Sequence, residues 1–480
     1  MHANHKFSFD RLKPAFQLFI PLFSALYFWI FPAPAGLHLK AWHLLGIFIA
    51  TMTGIMMKSL PMGAMAFLGF TASILTHTIT LEKAMQGFSN EVAWMIFSAF
   101  LISRAFIKTG LGTRVAYFFL SKFGFHSLGI GYGLALTDLL FAPAMPSTTA
   151  RVGGMIYPIL YSISAIYKSK PEDGTAGRLG QFLILVAFHA NVITSAMFIT
   201  AHAPNPIMVQ MAASQFIHIG WNQWALAALL PGIISLIFIP LIIYKICPPE
   251  VKKTPDTPHE MKTKLKKMGP LSSKEWIIIG TFVLLLILWI LGNQFHLSTT
   301  TTAFLGVSIL ILTNTLNWSD ILNEKPAWDT LFWFSILITL AQSMNQLGLM
   351  SWIQTFIPTL FKNLSPTLIF SFLVLIYYYA HYLFASNTAH ITALYPAFLS
   401  LAIGVGVPPL YCALVFTFIS SLMGGMTHYS NGPAPLLFGS AFVPIRLWWK
   451  VGFLSTTFYL IIWLGIGTLW WKFLGYLPQK

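Results

Sequence analysis

Apolar segments long enough to form membrane-spanning helices follow one another along the chain, separated by short polar stretches that contain Gly, Pro or Lys. Clear examples are IIIGTFVLLLILWILG, which begins at Ile277, and LIIWLGIGTLWWKFLG, which begins at Leu460. A helix needs about 20 apolar residues to cross a bilayer. The pattern therefore predicts an all-α polytopic membrane protein with about eleven transmembrane helices, near residues 15–31, 42–59, 61–81, 91–121, 181–211, 224–246, 276–294, 298–316, 328–349, 408–440 and 451–474.

Two further apolar regions, near 127–168 and 366–404, are too long for one crossing and are interrupted in the middle. The first interruption is PSTTARVGGMIYP, beginning at Pro146, and the second is SNTAHITALYP, beginning at Ser386. We predict that each region is a re-entrant hairpin that enters and leaves the membrane on the same side and turns at its polar tip.

The two halves of the chain resemble each other at a nearly constant offset. Tyr157-Pro158 after the first tip is echoed by Tyr395-Pro396 after the second, 238 residues later (395 minus 157). Five crossings per half is an odd number, so the second copy is inverted, an arrangement typical of secondary transporters. The sequence thus predicts an N-terminal segment with the first transmembrane helix, an inverted repeat, a basic linker, a second repeat and a tail, at 1–40, 41–246, 247–275, 276–474 and 475–480.

Composition and charge place the protein in the membrane. Hydrophobic residues make up 56% of the 480 residues and charged residues only 9%, with a mean hydropathy of +0.72. The net charge of +15 comes largely from the predicted cytoplasmic side, since eight lysines lie between Lys245 and Lys274. This distribution follows the positive-inside rule and does not require a nucleic-acid partner. We therefore expect a multi-pass protein of the inner (cell) membrane with its N-terminus and central loop in the cytoplasm.

The hairpin tips carry the candidate chemistry. Short Ser, Thr and Asn side chains cap helix ends, and the helix that returns from a tip offers free N–H groups and a partial positive charge. Two such tips facing each other can hold a compact dianion, with one carboxylate at each tip. Carbonyls of the same unwound turns can hold sodium, near Ser147 and Asn387. The candidate substrate-binding residues at the tips are Ser147, Thr148, Thr149, Ser386, Asn387 and Thr388.

Each hairpin has a neighbouring apolar run that is also interrupted. TSAMFITAHAPNP begins at Thr194, and GGMTHYSNGPAP begins at Gly424. One interpretation is a proline kink that closes an ordinary helix. The other is a discontinuous helix that lines the site beside its hairpin, which adds the candidates Ser195, Asn205, Thr427 and Pro433.

Ionisable residues inside a membrane are costly and need a role. Arg151 and His390, just after the tips, are candidates for compensating substrate charge or replacing a coupling cation, as are His202 and His428. The alternatives are a structural pair of Arg151 with Asp138 and ordinary packing for the histidines. No Asp or Glu follows Asp329, which favours an anion site with exchange or carbonyl-bound sodium over a carboxylate proton relay.

Several of these stretches resemble the divalent anion–sodium symporter family, most closely its 2-oxoglutarate/malate translocator branch. The resemblance rests on PSTTARVGGMIYPI, FASNTAHITALYPAFL, THYSNGPAPLLFGSAFVP and FSAFLISRAFIKTGLG, and it extends from about residue 40 to the end. It implies a homodimer in which a transport domain moves as an elevator against a scaffold domain. It also implies that the Ser-Asn-Thr motifs of the two tips bind the substrate carboxylates. The chain departs from many relatives at Thr148, which has no amide oxygen for a sodium site beside the first tip.

We therefore expect a secondary active carrier of C4–C5 dicarboxylates, exchanging 2-oxoglutarate for malate or succinate. The alternative within this class is a sodium-coupled di- or tricarboxylate symporter. Two rivals from other classes are an intramembrane enzyme that uses Asp138 and the histidines, and a channel. The sequence contains no HExxH or Walker A motif, so we expect neither enzymatic activity nor a cofactor other than sodium as a coupling ion.

Overall fold

The structure, a computed structural model, describes residues 9–355 and 364–477, without the side chains of residues 9–18, 293 and 354. Parts of the predicted N-terminal segment (1–8) and tail (478–480) lie outside the described residues. The described chain is helical, as predicted, with an isolated bridge between His126 and Lys253.

The helices of the first half, which ends before the basic linker, are numbered here in chain order. They are α1 (Phe9–Ile30), α2 (Leu39–Met56), α3 (Met62–Leu75), α4 (Leu81–Met85), α5 (Glu91–Thr109), α6 (Leu111–Phe123), α7 (Ser127–Phe141), α8 (Tyr157–Ile166), α9 (Gly180–Met197), α10 (Pro204–Ala213) and α11 (Trp221–Ile246).

The linker and the second half contribute the remaining described helices. They are α12 (Asp256–Lys267), α13 (Ser273–Phe295), α14 (Thr299–Leu312), α15 (Trp318–Asn323), α16 (Lys325–Gln346), α17 (Leu349–Thr355), α18 (Pro366–Tyr379), α19 (Asn387–Gly404), α20 (Pro409–Leu422), α21 (Pro433–Gly439) and α22 (Ile445–Phe473).

Eight helices in the described chain are long and apolar enough to cross a membrane, and five shorter apolar helices accompany them. A helix lies in each of the eleven predicted crossings. The predicted crossing at 91–121 is wrong at its far end, because the helix stops at Thr109 and α6 begins at Leu111. Between them Gly110 has φ of 76°, a left-handed conformation that ends a helix and that glycine adopts without strain. The predicted crossing at 328–349 ends before Gly348, whose φ is 84°.

Helix α6 lies against the linker helix α12. Arg114 of α6 forms an ion pair with Glu275 at 2.6 Å and donates to the carbonyl of Gly269 at 2.7 Å. The basic linker is thus folded onto the membrane-embedded part, and α6 rests on it instead of extending the α5 crossing.

Both predicted hairpin regions form two helices joined by a short turn. In the first, α7 continues as a 3₁₀ turn at Ala142–Ala144, and the returning helix begins as a π-helix at Ala150–Ile156 that runs into α8. In the second, α18 continues as a 3₁₀ turn at Ala380–Leu383 and α19 returns. A π-helical turn of this kind often marks a functional position.

The two predicted discontinuous helices are also broken in the structure. Between α9 and α10, a 3₁₀ turn at Ile199–Ala201 is flanked by the extended residues Phe198 and His202. Between α20 and α21, a 3₁₀ turn at Met423–Gly425 is followed by residues 426–432 without regular helix. These are real breaks, and not the proline kinks that the sequence left as an alternative.

Some local features recur at the same offset in both halves. Helices α3 and α14 each have 14 residues and begin 237 positions apart (299 minus 62). Each is followed by a residue with positive φ, His77 at 53° and Asn314 at 51°. These equal turns accompany the sequence similarity between the halves.

The helices pack as two groups. In the first, α2 contacts α1 and α3, and α5 and α16 pack together with α3 and α14 nearby; in the second, α9 and α20 pack together with α11 and α22 alongside. The hairpins lie against the second group, α7 on α9 and α19 on α20. Contacts such as Asn345 Nδ2 to the Ser214 carbonyl, at 2.7 Å, connect the two groups.

Candidate functional site

The first tip is a helix start capped by its own serine. The Ser147 Oγ accepts a hydrogen bond from the Ala150 N–H at 3.1 Å, and the Ser147 carbonyl accepts one from the Arg151 N–H at 3.0 Å. Thr148 is buried, whereas Thr149 is exposed. A serine cap leaves other N–H groups of the first turn open.

The second tip repeats this geometry. The Ser386 Oγ accepts from the Ala389 N–H at 3.4 Å, and the Ser386 carbonyl accepts from the His390 N–H at 3.1 Å. Asn387 is 3% exposed, and Thr388 is half-buried. The matched caps show why serine stands at equivalent places in the two polar stretches.

Both tips meet at the second helix break. A methyl group built on Gly432 would overlap the Thr149 hydroxyl, so the first tip touches the end of this break. A methyl group built on Gly424 would lie 2.8 Å from the Asn387 Nδ2 and 3.1 Å from the Asn431 Nδ2, so the second tip touches its beginning. The structure thus brings the predicted tip residues of both hairpins to residues 424–432.

Three buried polar atoms that have no partner in the described chain lie at this meeting point. Neither the Oδ1 nor the Nδ2 of Asn387 has a hydrogen-bond partner among the described residues, and neither does the Oγ1 of the fully buried Thr427. A buried polar group without a partner costs about 1–3 kcal/mol. Asn387 and Thr427 therefore each present polar atoms that no described residue satisfies.

Arg151 has a different environment. Its guanidinium is fully buried, and its Nε donates to the Asp138 Oδ1 at 3.0 Å. Its other two nitrogens donate to two carbonyls and two hydroxyls, those of Met145 and Ala201 at 2.6 Å each, Thr194 at 3.3 Å and Ser195 at 3.1 Å. All five N–H groups of a guanidinium are thereby used within the protein.

Asp138 is held by further donors. The Asn191 Nδ2 lies 3.1 Å from both carboxylate oxygens, and the Thr194 hydroxyl donates to the Oδ2. The structure therefore shows the Asp138–Arg151 pair that the sequence left as an alternative, and it leaves no Arg151 donor for a substrate. The pair joins the first hairpin to the first helix break through the carbonyls of Met145 and Ala201.

Two predicted candidates in the first break also have their side chains hydrogen-bonded within the protein. The Asn205 Nδ2 donates to the carbonyls of Ser195 at 2.7 Å and Phe198 at 2.9 Å, and its Oδ1 accepts from the Ser421 hydroxyl at 2.8 Å. The Ser195 hydroxyl donates to the Asn191 carbonyl at 2.6 Å. Both side chains bond the break itself, and Asn205 ties it to α20.

His390 packs at the base of the second tip. Its ring contacts Tyr377 and Phe384, and its Nδ1 lies 3.3 Å from the Nδ1 of His381. The His381 Nε2 faces the Ser430 carbonyl at 3.2 Å and must donate to it. For two neutral imidazoles, His390 then donates from its Nδ1 and its Nε2 is an acceptor, which has no partner among the described residues.

The other two histidines lie in the two helix breaks. His202 is buried in the first break, and its Nδ1 has no partner among the described residues. The His428 Nδ1 accepts from the Trp449 Nε1 at 3.2 Å, and its ring packs on Phe438. Pro433 is buried at the first residue of α21. The coupling roles of the three histidines stay predictions.

The sequence reasoning missed two polar residues of this region. His381 precedes the second tip, and Asn431 lies within the quoted stretch GGMTHYSNGPAP. The Asn431 Oδ1 accepts from the Ala434 N–H at 3.1 Å, as a helix cap. An Asn followed by Gly-Pro is a cap signal that could have identified it.

Two hairpins whose tips meet at a break in a neighbouring helix, within a bundle of apolar helices, define a membrane protein with a central polar site. Such a site, built from helix starts and neutral side chains, suits a small anion. The model of the family described as sodium:sulfate symporter transmembrane region matches residues 12–477, and the chain belongs to this family.

Named relatives match over nearly the whole chain. The putative malate transporter YflS of Bacillus subtilis is 46% identical over 459 residues, which cover 95% of this chain and 96% of the relative. The chloroplastic dicarboxylate transporter 1 of Arabidopsis thaliana is 45% identical over 470 residues, covering 97% of this chain and 83% of the relative.

A solved structure supports the fold. The YdaH transporter of Alcanivorax borkumensis superposes with a TM-score of 0.55 and covers 84% of this chain and 89% of its own. The sequence identity is 12%, so the likeness concerns the fold alone.

The Asp138–Arg151 pair yields the first prediction. Replacing Arg151 with Gln leaves the Asp138 carboxylate buried without its cation, and we expect the folded state to lose about 3 kcal/mol or more. The measurement is the thermal denaturation midpoint in detergent, with Arg446→Gln, at an exposed arginine, as the control.

The double variant Asp138→Asn/Arg151→Gln removes both charges and should recover part of the lost stability. If Arg151→Gln were as stable as the unsubstituted protein, the pair would not be the structural element described here.

Proposed function

We propose that this protein is a secondary active carrier that moves C4–C5 dicarboxylates across the membrane, and that it exchanges 2-oxoglutarate for malate or succinate. Relatives covering nearly the whole chain bear the names malate transporter and dicarboxylate transporter. The observation that carries the proposal is the Asn387 amide, buried at the second tip with both polar atoms unpartnered.

In this proposal each tip holds one carboxylate of the substrate. Ser147 and Ser386 fix the turns, and the first N–H groups of the returning helices face the anion with their partial positive charge. Asn387 and Thr427 add polar side-chain atoms beside the second tip, and Thr148 and Thr149 add hydroxyls beside the first. A site without a free cationic side chain binds a dianion through many moderate contacts, which allows release after translocation.

The residues at the first tip and the first break favour exchange over sodium-coupled symport. The carbonyls of Met145 and Ala201, at the first tip and the first break, accept hydrogen bonds from Arg151. A sodium ion beside Ser147 would need such oxygens, and Thr148 supplies no amide oxygen in their place. Near Asn387, the free Oδ1 could still serve a sodium ion, so symport is the second candidate.

The mechanism we propose is an elevator. The group around α9, α11, α20 and α22, with the hairpins, would be the transport domain, and the group around α2, α5, α14 and α16 would be the scaffold of a homodimer. The halves 41–246 and 276–474 would be inverted repeats. An unchanged distance between the two groups with and without substrate would contradict the elevator, and a monomer in light scattering would contradict the dimer.

Counterflow tests the function. Purified protein is placed in vesicles loaded with malate, or in empty vesicles, and uptake of labelled 2-oxoglutarate is followed with and without sodium. We expect uptake only into malate-loaded vesicles, independent of sodium. Uptake into empty vesicles that requires a sodium gradient would instead establish the symporter, and no saturable uptake in any condition would contradict dicarboxylate transport.

Asn387→Ala tests the site. Because the Asn387 amide bonds no described residue, its removal should leave thermal stability unchanged. It should raise the KM for 2-oxoglutarate at least about tenfold, since a hydrogen bond to a charged group contributes about 1.5–3 kcal/mol.

Asn205→Ala is the matched control for this substitution, because the Asn205 amide makes three hydrogen bonds within the protein. It should lower the denaturation midpoint. An unchanged KM in Asn387→Ala would show that the substrate binds elsewhere.

We also propose that the N-terminus and the central loop lie in the cytoplasm, and this orientation can be tested separately. Lys266 is exposed on the linker helix α12, and the native Cys247 and Cys412 are buried. A cysteine introduced by Lys266→Cys should react with a membrane-impermeant maleimide in inverted vesicles and not in intact cells. Labelling from the outside of intact cells would reverse the orientation.

A further inference from the structure

The side-chain amide of Asn431 has a hydrogen-bonded Oδ1 and, within the described chain, an unbonded Nδ2. The residue is 8% exposed, and its Oδ1 accepts from the Ala434 N–H at 3.1 Å. Its Nδ2 donates to no described residue. Because the amide is planar, the cap determines where the free N–H₂ group points.

The free nitrogen lies beside Asn387. The Nδ2 atoms of Asn387 and Asn431 lie 2.8 and 3.1 Å from the point where a Gly424 side chain would begin. Two amide donors from different parts of the chain, one on the second hairpin and one on the second break, therefore lie close together against the Cα of Gly424. This close approach is possible because residue 424 has no side chain.

We infer that Asn431 and Asn387 form an amide pair that donates to one carboxylate of the substrate, and that Gly424 allows the two amides to approach each other. The inference rests on the proposed dicarboxylate function and adds a residue to its site. A carboxylate offers two oxygens that accept hydrogen bonds from two separate donors, which matches two N–H₂ groups that converge without partners of their own.

The donors beside the two amides are neutral. The guanidinium of Arg151 is used by Asp138 and its neighbours, so in this proposal the amides and not Arg151 bind the carboxylate. The unpartnered Thr427 hydroxyl lies in the same segment as Asn431 and offers a further donor. Bound substrate would also connect the second hairpin to the second break.

If Asn431 acted only as a helix cap, Asn431→Asp would leave transport unchanged. This variant therefore distinguishes a cap from a substrate-binding donor. Asp caps a helix as well as Asn does, so α21 keeps its first hydrogen bond. The N–H₂ donor, however, becomes an anionic oxygen that repels a carboxylate. We expect the KM for malate in counterflow to rise at least about tenfold, with the denaturation midpoint without substrate close to that of the unsubstituted protein.

Asn431→Ser is the second variant, because serine also caps but its hydroxyl is shorter than the amide. We expect it to raise the KM less than Asn431→Asp does. If both variants kept the unsubstituted KM, Asn431 would be a cap only and the inference would be overturned.

Gly424→Ala tests the close approach of the two amides. Its methyl group would displace the Asn387 nitrogen, so we expect loss of malate-dependent thermal stabilisation. The control is Gly439→Ala on α21, where a methyl group meets nothing within 4 Å. Malate stabilisation of Gly424→Ala equal to that of the control would contradict the proposed amide pair.

Different results would contradict the proposed function and the role of Asn431. If the unsubstituted protein shows no malate counterflow, the proposed function is wrong. If it does, and Asn431→Asp retains the same KM, dicarboxylate transport stands and only the role of Asn431 is wrong.

Discussion

An open helix end inside a bilayer finds no water, so the backbone groups exposed by a break must be bonded by the protein or by what it carries. Within the described residues, membrane helices are broken at the two tips and in the two interrupted helices. The way in which each break is satisfied determines which parts of the structure are fixed and which are free to bind.

In the first half, side chains of the protein bond the backbone carbonyls at the breaks, while the His202 Nδ1 has no partner among the described residues. Arg151 bonds the carbonyls of Met145 and Ala201, and the Asn205 amide bonds those of Ser195 and Phe198. The second half has no acidic residue after Asp329, so its two breaks contain no ion pair of this kind. Buried polar atoms of Asn387 and Thr427 there have no partner among the described residues, and the hydrogen bond found for the Asn431 side chain uses only its Oδ1. The two halves thus have similar helices but differ in how their breaks are bonded, with a buried ion pair in the first and neutral polar side chains in the second.

The sequence predicted the helices and the tips well because both follow from local rules. The length of an apolar run indicates a membrane-crossing helix. Ser147 and Ser386 are helix-capping residues at the places where apolar runs are interrupted. The end of α5 was missed because α6 is apolar on one face and continues the hydropathy signal past Gly110, although it packs on the linker. The roles of individual polar residues could be assigned only from their contacts in the three-dimensional structure. Asn205 and Asn387 both stand in polar interruptions, yet only the contacts show that the first is fully bonded and the second is not. The partners of Arg151 lie up to 50 residues away in the chain, a separation at which residue spacing carries no information.

The central claim is that a dicarboxylate is held between the two hairpin tips at the second helix break. An experimental structure of the protein with 2-oxoglutarate bound tests it most directly. The account predicts one carboxylate within hydrogen-bond distance of Asn387 and the other at the helix start after Ser147. Substrate density away from both tips, with the Asn387 amide bonded to the protein instead, would contradict it.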